Sequence, residues 1–170
     1  MENRNDIYEK INAFKLPRYK ELPDMGLYLE QVVQYINSSL SALGCVEITS
    51  SMVSNYVKKG LVDNPVKKRY YSMHLAELFF VVLGKRVLSI ENLGKMLDMI
   101  KSASGKVIYD SSCAEFENRL RFVFGMANDS PASDAEETES KMMLDEVITA
   151  VVLSIHLNYW FGETKKEADA

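Results

Sequence analysis

Helix-capping residues recur along this chain, and each is followed by apolar residues at helical spacing. The caps are Asp24, Thr49, Ser72 and Ser89. Glycines stand near the ends of the first three apolar stripes, namely Gly44, Gly60 and Gly84. Short polar side chains satisfy the first N–H groups of a helix, and glycine favours its end. The repeated pattern therefore predicts an all-α fold.

The first two helices are predicted at about Leu27–Ala42 and 50–59, with a tight turn near Gly44 between them. This spacing is typical of a helix-turn-helix. In residues 61–71, the turn formers Asp63-Asn64-Pro65 separate two short apolar and aromatic runs, which predicts a β-hairpin wing. The expected fold is a winged helix-turn-helix with a short β-hairpin wing, followed by a small C-terminal helical bundle.

The C-terminal bundle is predicted from two further stripes, at about Ser112–Met126 and Lys141–Phe161. Between them, acidic residues 128–140 predict a flexible loop. The last helix is apolar nearly all round and should be buried on several sides. Its uncharged run, 147–161, has fifteen residues and is shorter than the roughly 20 that span a bilayer. No membrane partner is expected.

The net charge of −4 conceals two regions of opposite sign. Residues 48–86 hold seven basic and two acidic side chains, which gives +5, and the rest of the chain carries −9. The chain has only two cysteines, too few for a disulfide framework, and its first residues show no export signal. These features predict a cytoplasmic protein whose basic segment is available to an anionic partner.

Known catalytic and metal-binding patterns are missing from the sequence. There is no glycine-rich phosphate loop, nucleophile elbow or HExxH motif. His74 and His156 lie far apart, and neither stands at metal-ligand spacing from a cysteine. We expect no enzyme, no cofactor and no metal site. His74 is expected on the surface, with a phosphate contact as the alternative, and His156 in the core or an interface.

Residues 48–78 combine short polar side chains with clustered lysines. A recognition helix presents its N-terminal residues to the major groove, and basic residues beside it contact phosphates. The expected DNA-binding residues are Ser50, Ser51, Ser54, Asn55, Lys58, Lys59, Lys67, Lys68 and Arg69. With about five phosphates neutralised per chain, log K should fall against log salt with a slope of roughly −4 to −5.

Part of this stretch resembles the N-terminal domain of the MerR regulators, in which a recognition helix is followed by a wing. The resemblance rests on Gly60-Leu61, Pro65, Tyr71-Ser72 and Leu88-Ser89-Ile90. It implies duplex DNA as the partner. Two departures are a shortened wing and Ser54 at the position where the MerR pattern has an arginine.

A second resemblance covers more of the chain. The segments that carry it are Leu16-Pro17-Arg18-Tyr19, Ile48-Thr49, Asn55-Tyr56-Val57-Lys58 and Pro65-Val66-Lys67-Lys68-Arg69-Tyr70. These segments are similar to an uncharacterised bacterial group, domain-of-unknown-function family 1836, which has itself been grouped with MerR-like domains. The resemblance spans about residues 15–160.

The resulting hypothesis is a bacterial transcriptional regulator in two parts. Residues 15–86 would bind DNA, and residues 87–161 would form a homodimer through the C-terminal helices. The alternative is a helical protein-protein interaction module that has kept a helix-turn-helix core and lost DNA binding. A small-molecule effector is a third possibility, which rests only on the aromatic residues of the C-terminal half.

Overall fold

The computed structural model describes residues 3–44, 47–103, 105–128 and 138–168, with side chains in the last helix described as far as Gly162. These residues form seven α-helices and two 3-10 turns, the turns lying at Tyr19–Glu21 and Ser41–Leu43. The helices are α1 (Arg4–Ala13), α2 (Leu29–Leu40), α3 (Ser50–Lys58), α4 (Ser72–Gly84), α5 (Ile90–Ser102), α6 (Gly105–Val123) and α7 (Glu139–Ala168). The all-α prediction is confirmed.

Two of the predicted N-caps are confirmed. Thr49 Oγ1 accepts a hydrogen bond from the backbone N–H of Met52 at 3.3 Å, and Ser89 Oγ accepts one from Asn92 at 3.2 Å. Both bonds join residues three apart, so they depend only on local sequence.

The predicted role of Asp24 is wrong. Its Oδ1 accepts from the backbone N–H of Ser72 at 3.4 Å, so this carboxylate lies at the start of α4 rather than of α2. At the start of α2, Gln31 Oε1 accepts from the backbone N–H of Tyr28 at 2.9 Å. The side chain that binds backbone at this helix start is therefore a glutamine three residues into the helix, which reaches back to the N-cap residue.

The predicted β-hairpin wing is also wrong, because the described residues contain no strand. Between α3 and α4, Val66 and Arg69 pair with each other across a tight turn. Tyr70 pairs with Leu27, outside the predicted hairpin. Each pairing is an isolated bridge that no neighbouring pair extends.

The hydrogen-bonding groups that such a hairpin needs are engaged elsewhere. The N–H of Leu61 donates to Tyr56 O and closes the end of α3, while the N–H of Asp63 donates to the Glu77 carboxylate. Pro65 has no N–H to donate. The first predicted strand is therefore tied to α3 and α4 through Leu61 and Asp63, and these two N–H groups are not free to form a ladder.

The C-terminal helices are longer than the sequence indicated. Helix α6 begins at Gly105, seven residues before the predicted start at Ser112, and α7 extends from Glu139 to Ala168. Of the predicted acidic loop 128–140, residues 129–137 lie outside the described ranges. Helix α7 packs chiefly against α6.

One apolar core joins the two regions, 15–86 and 87–161, that the sequence distinguished. Its buried side chains run from Ile7 in α1 to Ile155 in α7. Tyr109 Oη donates to Pro17 O at 2.8 Å, and Tyr159 Oη donates to Ala42 O, so side chains of α6 and α7 hold backbone of the N-terminal part. None of the described helices is both long enough and apolar enough to cross a membrane.

Candidate nucleic-acid interface

Helix α3 presents a polar face to solvent. Val53 and Tyr56 are buried and attach the helix to the core. The exposed residues on and just after the helix are Ser51, Ser54, Asn55, Lys58 and Lys59, and Ser50 is half-buried in its first turn. The sequence-predicted polar face is therefore present, with hydroxyl and amide groups first and ammonium groups at the C-terminal end.

The basic turn, defined here as Val66–Arg69, is held by two reciprocal backbone hydrogen bonds of 2.9 Å each between Val66 and Arg69. Its central residues, Lys67 and Lys68, have φ angles of 49° and 64° and exposed side chains. Positive φ at both central residues is the pattern of a type I′ turn, which favours glycine and asparagine. For lysine this conformation is strained by about 1 kcal/mol or more per residue.

His74 anchors the segment that carries the basic turn. Its ring is almost fully buried, its Nδ1 accepts from the Tyr71 N–H at 2.9 Å, and its Nε2 lies 3.0 Å from Asn64 O. Because Nδ1 accepts, Nε2 carries the proton and donates, so the ring is neutral. The expectation of a surface histidine or phosphate contact is wrong, since both ring nitrogens bind backbone on either side of the turn.

A second anchor joins the same segment to α4 and α5. Glu77 is buried; its Oε2 accepts from the Asp63 N–H at 2.9 Å and its Oε1 lies 3.0 Å from Lys101 Nζ. Lys101 Nζ also lies 2.9 Å from Asp63 Oδ1. Burial lowers the pKa of Lys101, but the hydrogen bonds to Asp63 and Glu77 outweigh it and raise that pKa overall.

This second anchor has an electrostatic consequence for the basic segment. Residues 48–86 contain only two carboxylates, Asp63 and Glu77. Both are engaged by Lys101, which lies outside the segment. The two carboxylates therefore face α5 and do not neutralise the exposed lysines of α3 and the basic turn.

The half-buried Arg69 side chain is held by the loop before α2. Its two terminal nitrogens donate to Gly26 O at 2.9 Å and to Tyr28 Oη at 2.8 Å, and its guanidinium carbon lies 4.3 Å from the centre of the Tyr28 ring. The sequence predicted a phosphate contact for this residue. In the structure its donors hold the loop before α2 against the basic turn.

Helix α3 is joined to the end of α4 by another basic residue. Lys85 Nζ donates to Tyr56 Oη at 3.1 Å and lies 5.4 Å from the centre of that ring. The basic turn is anchored to α4 as well, through His74 and Glu77. Helix α4 thus positions both groups of exposed lysines, Lys58 with Lys59 and Lys67 with Lys68.

Three apolar side chains near the basic turn were not singled out from the sequence. Met25, Tyr28 and Val66 are at least half exposed. Two of them flank Arg69, since Tyr28 stacks on its guanidinium and Val66 pairs with its backbone. Leu22-Pro23 and Gly26 are residues that interrupt helices, so they mark a loop here. This loop is the only feature of the sequence that indicated the exposure of these side chains.

The remaining reactive side chains lie apart from this surface. The His156 ring packs on Phe124 with 4.6 Å between ring centres, and partial burial lowers its pKa. Burial raises the pKa of the Cys113 thiol to about 11, which makes it a poor nucleophile. Within the described ranges, no three His, Cys, Asp or Glu side chains are grouped so that they could hold a metal ion.

Comparison with known proteins identifies the family. A model described as Domain of unknown function (DUF1836) matches residues 17–114, more than half of the chain. The chain belongs to this family. The match includes α2 to α5 and the start of α6, so it contains the whole polar face of α3 and the basic turn. No curated protein and no solved structure matches the chain.

Proposed function

We propose that this member of the family is a cytoplasmic DNA-binding transcriptional regulator that uses α2 and α3 as a MerR-like helix-turn-helix. The observation that carries the proposal is the charge arrangement of residues 48–86. Lys58, Lys59, Lys67 and Lys68 are exposed, whereas both carboxylates of the segment are engaged by Lys101. Such a surface attracts the phosphate backbone of nucleic acid.

The division of labour follows from the chemistry of each side chain. Ser51, Ser54 and Asn55 both donate and accept hydrogen bonds, so they can read base edges if α3 enters the major groove. The four exposed lysines would contact phosphates on either side. Arg69 keeps the loop before α2 in place and is left out of the expected phosphate contacts.

The alternative function, a protein-protein interaction module, is favoured by a different observation. Met25, Tyr28 and Val66 place exposed apolar surface beside the basic turn, where a phosphate contact gains nothing from it. Aromatic and apolar residues ringed by charge are common in protein interfaces. A protein-protein interaction module would still bind its partner after charge reversal of the exposed lysines. A DNA-binding protein would no longer bind duplex DNA.

The direct test is fluorescence anisotropy with a pool of random-sequence duplexes at low salt. The Lys67→Glu/Lys68→Glu variant should bind about 100-fold more weakly than the wild type, because it removes two phosphate contacts and adds two repulsive charges. The matched control is Lys15→Glu/Lys20→Glu, which makes the same charge change at exposed positions outside residues 48–86. It should change affinity less than about 3-fold.

Two results would contradict the proposal. Absence of wild-type binding at low salt excludes DNA as the partner. Equal weakening in the two double variants would show that only overall charge matters and that the basic turn is not the contact surface.

A further inference from the structure

Helix α7 is apolar on two sides. Val151, Val152 and Ile155 are at most 2% exposed and pack into the core. Beside them on the helix, large apolar side chains face solvent: Leu153 is 45% exposed, Leu157 52%, Trp160 53% and Phe161 67%. A helix of a single-chain protein normally carries polar residues on its solvent side. The exposed side of α7 thus has the character of an interface.

The positions of these residues match a helix-pairing seam. Ala150, Leu153, Leu157 and Trp160 are spaced by three, four and three residues, and all four are exposed. Alternating steps of three and four are the a/d pattern with which two helices pack side by side. We name these four residues, together with Phe161, the α7 seam.

In the described part of the chain, the large side chains of the α7 seam are exposed. Outside the described ranges, the sequence has Met1, Cys45 and Val46 as its only large apolar side chains. The acidic stretch 129–137 contains none. Residues 147–162 carry no aspartate, glutamate, lysine or arginine, so the seam lies in an uncharged stretch of the helix.

A second copy of the chain fits the area and the chemistry. From the exposed fractions, the four large side chains offer roughly 500 Å² per chain, or about 1,000 Å² for two copies. A specific interface needs about that area, and one copy contributes only half of it. An uncharged, uniformly apolar stripe is also complementary to itself, as a two-fold interface requires.

We propose that the α7 seam is the interface of a homodimer. The other C-terminal helix considered from the sequence, α6, packs its buried side against α7. The inference does not depend on DNA binding. One consequence does rest on the proposed function: Tyr159 of α7 donates to Ala42 O in the turn before α3, so pairing through α7 would fix the two α3 helices relative to each other.

The test is the mass of the full chain in solution, measured by sedimentation equilibrium without DNA. Protein concentrations should run from about 5 to 200 µM, because interfaces of this size associate in the micromolar range. The wild type should reach twice its 19.3 kDa chain mass. Leu157→Glu places a charge in the α7 seam and should weaken association at least about 100-fold. Asn158→Glu, the same charge at the adjacent exposed position outside the seam, should leave the dimer intact.

A second measurement needs no substitution. Trp160 is the only tryptophan of the chain and is half exposed. Its emission should move to shorter wavelength as concentration rises, following the same curve as the mass. A wild type that stays monomeric at the highest concentration overturns the proposal. A dimer that persists unchanged in Leu157→Glu also overturns the proposal, as does an emission spectrum that stays constant while the measured mass rises. Duplex binding by a monomeric wild type would overturn the dimer alone and leave the proposed function standing.

Discussion

The exposed faces of α3 and α7 have opposite chemistry, although both helices bury their other side in the same core. Helix α3 shows hydroxyl, amide and ammonium groups, and α7 shows leucine, tryptophan and phenylalanine. The first surface suits a hydrated, negatively charged partner, and the second gains only from excluding water. Under the two proposals above the faces would have different partners, so substitutions should affect them separately.

The two helices also differ in how they are held. Helix α3 has nine residues, too few to be stable alone, and depends on the burial of Val53 and Tyr56. The basic turn depends on His74 and Glu77. Helix α7 has thirty residues, packs chiefly against α6, and has buried side chains from Leu144 to Ile155. The surface formed by α3 and the basic turn should therefore be more sensitive to loss of a single anchor.

The largest expected effect separates the two sides of α7. Ile155→Ala should lower the free energy of unfolding by about 2–5 kcal/mol, because Ile155 is fully buried and its loss leaves a cavity. Leu157→Ala should lower it by less than about 1 kcal/mol in dilute, monomeric samples. Urea unfolding followed by circular dichroism measures both. Similar losses in the two variants would mean that the exposed side of α7 is already covered within one chain.

The next effect concerns the junction between the two regions. Cys113 Sγ lies 3.9 Å from Pro17 O, and burial raises the pKa of its thiol from 9.0 to about 11. The folded state therefore favours the protonated thiol, and stability is full below pH 9. It should fall by about 2–3 kcal/mol as the pH rises from 9 to 11.

Burial also raises the pKa of Tyr109, next to this thiol, above its usual 10.0, so a second loss of stability begins at about pH 10 and continues at higher pH. Unfolding of reduced protein at several pH values measures the decline, and Cys113→Ser should flatten it between pH 9 and 10, below the range in which Tyr109 contributes. A flat profile in the wild type would show that the thiol is accessible to water.

A smaller effect is expected at the anchor of the basic turn. His74→Ala should lower the free energy of unfolding by about 1–3 kcal/mol, because the Tyr71 N–H and Asn64 O lose their partner. It should also weaken duplex binding without changing the charge of the surface. Met73→Ala, at the exposed neighbouring position, is the control and should change stability by less than about 0.5 kcal/mol. Unchanged duplex binding in His74→Ala would show that the turn keeps its shape unaided.

The smallest expected effect separates stability from binding at one residue. Lys68→Gly should raise the free energy of unfolding by about 0.5–1 kcal/mol, because glycine adopts the observed φ of 64° without strain. Duplex affinity should fall about 3- to 10-fold at moderate salt as one phosphate contact is lost. Thermal unfolding and anisotropy on the same sample compare the two. A stabilised variant with full affinity would place Lys68 outside the contact surface.

The features that sequence predicted correctly depend on neighbours along the chain. Thr49 and Ser89 cap helices through bonds to residues three positions later, so their role is local. The exposed polar face of α3 follows from helical spacing alone, since Val53 and Tyr56 mark its buried side.

The features that sequence missed depend on distant partners. The hairpin failed because Glu77 and Leu27 take hydrogen bonds that its strands needed, and these partners are 14 and 43 residues away from Asp63 and Tyr70. Arg69 was assigned to phosphate because a sequence does not show that it meets Gly26 and Tyr28. Helix α1 was missed because its polar composition gives only a weak apolar stripe.

The most direct test of the central claim is the salt dependence of duplex binding. Four exposed lysines in each chain predict a slope of log K against log salt of roughly −3.6 per chain. This slope is less steep than the one predicted from the sequence, because Arg69 is hydrogen-bonded within the chain and is not counted as a phosphate contact. Lys67→Gln/Lys68→Gln should reduce the wild-type slope by about half. A slope that this double substitution leaves unchanged, or wild-type binding that does not respond to salt, would contradict the assignment of α3 and the basic turn as the DNA-binding surface.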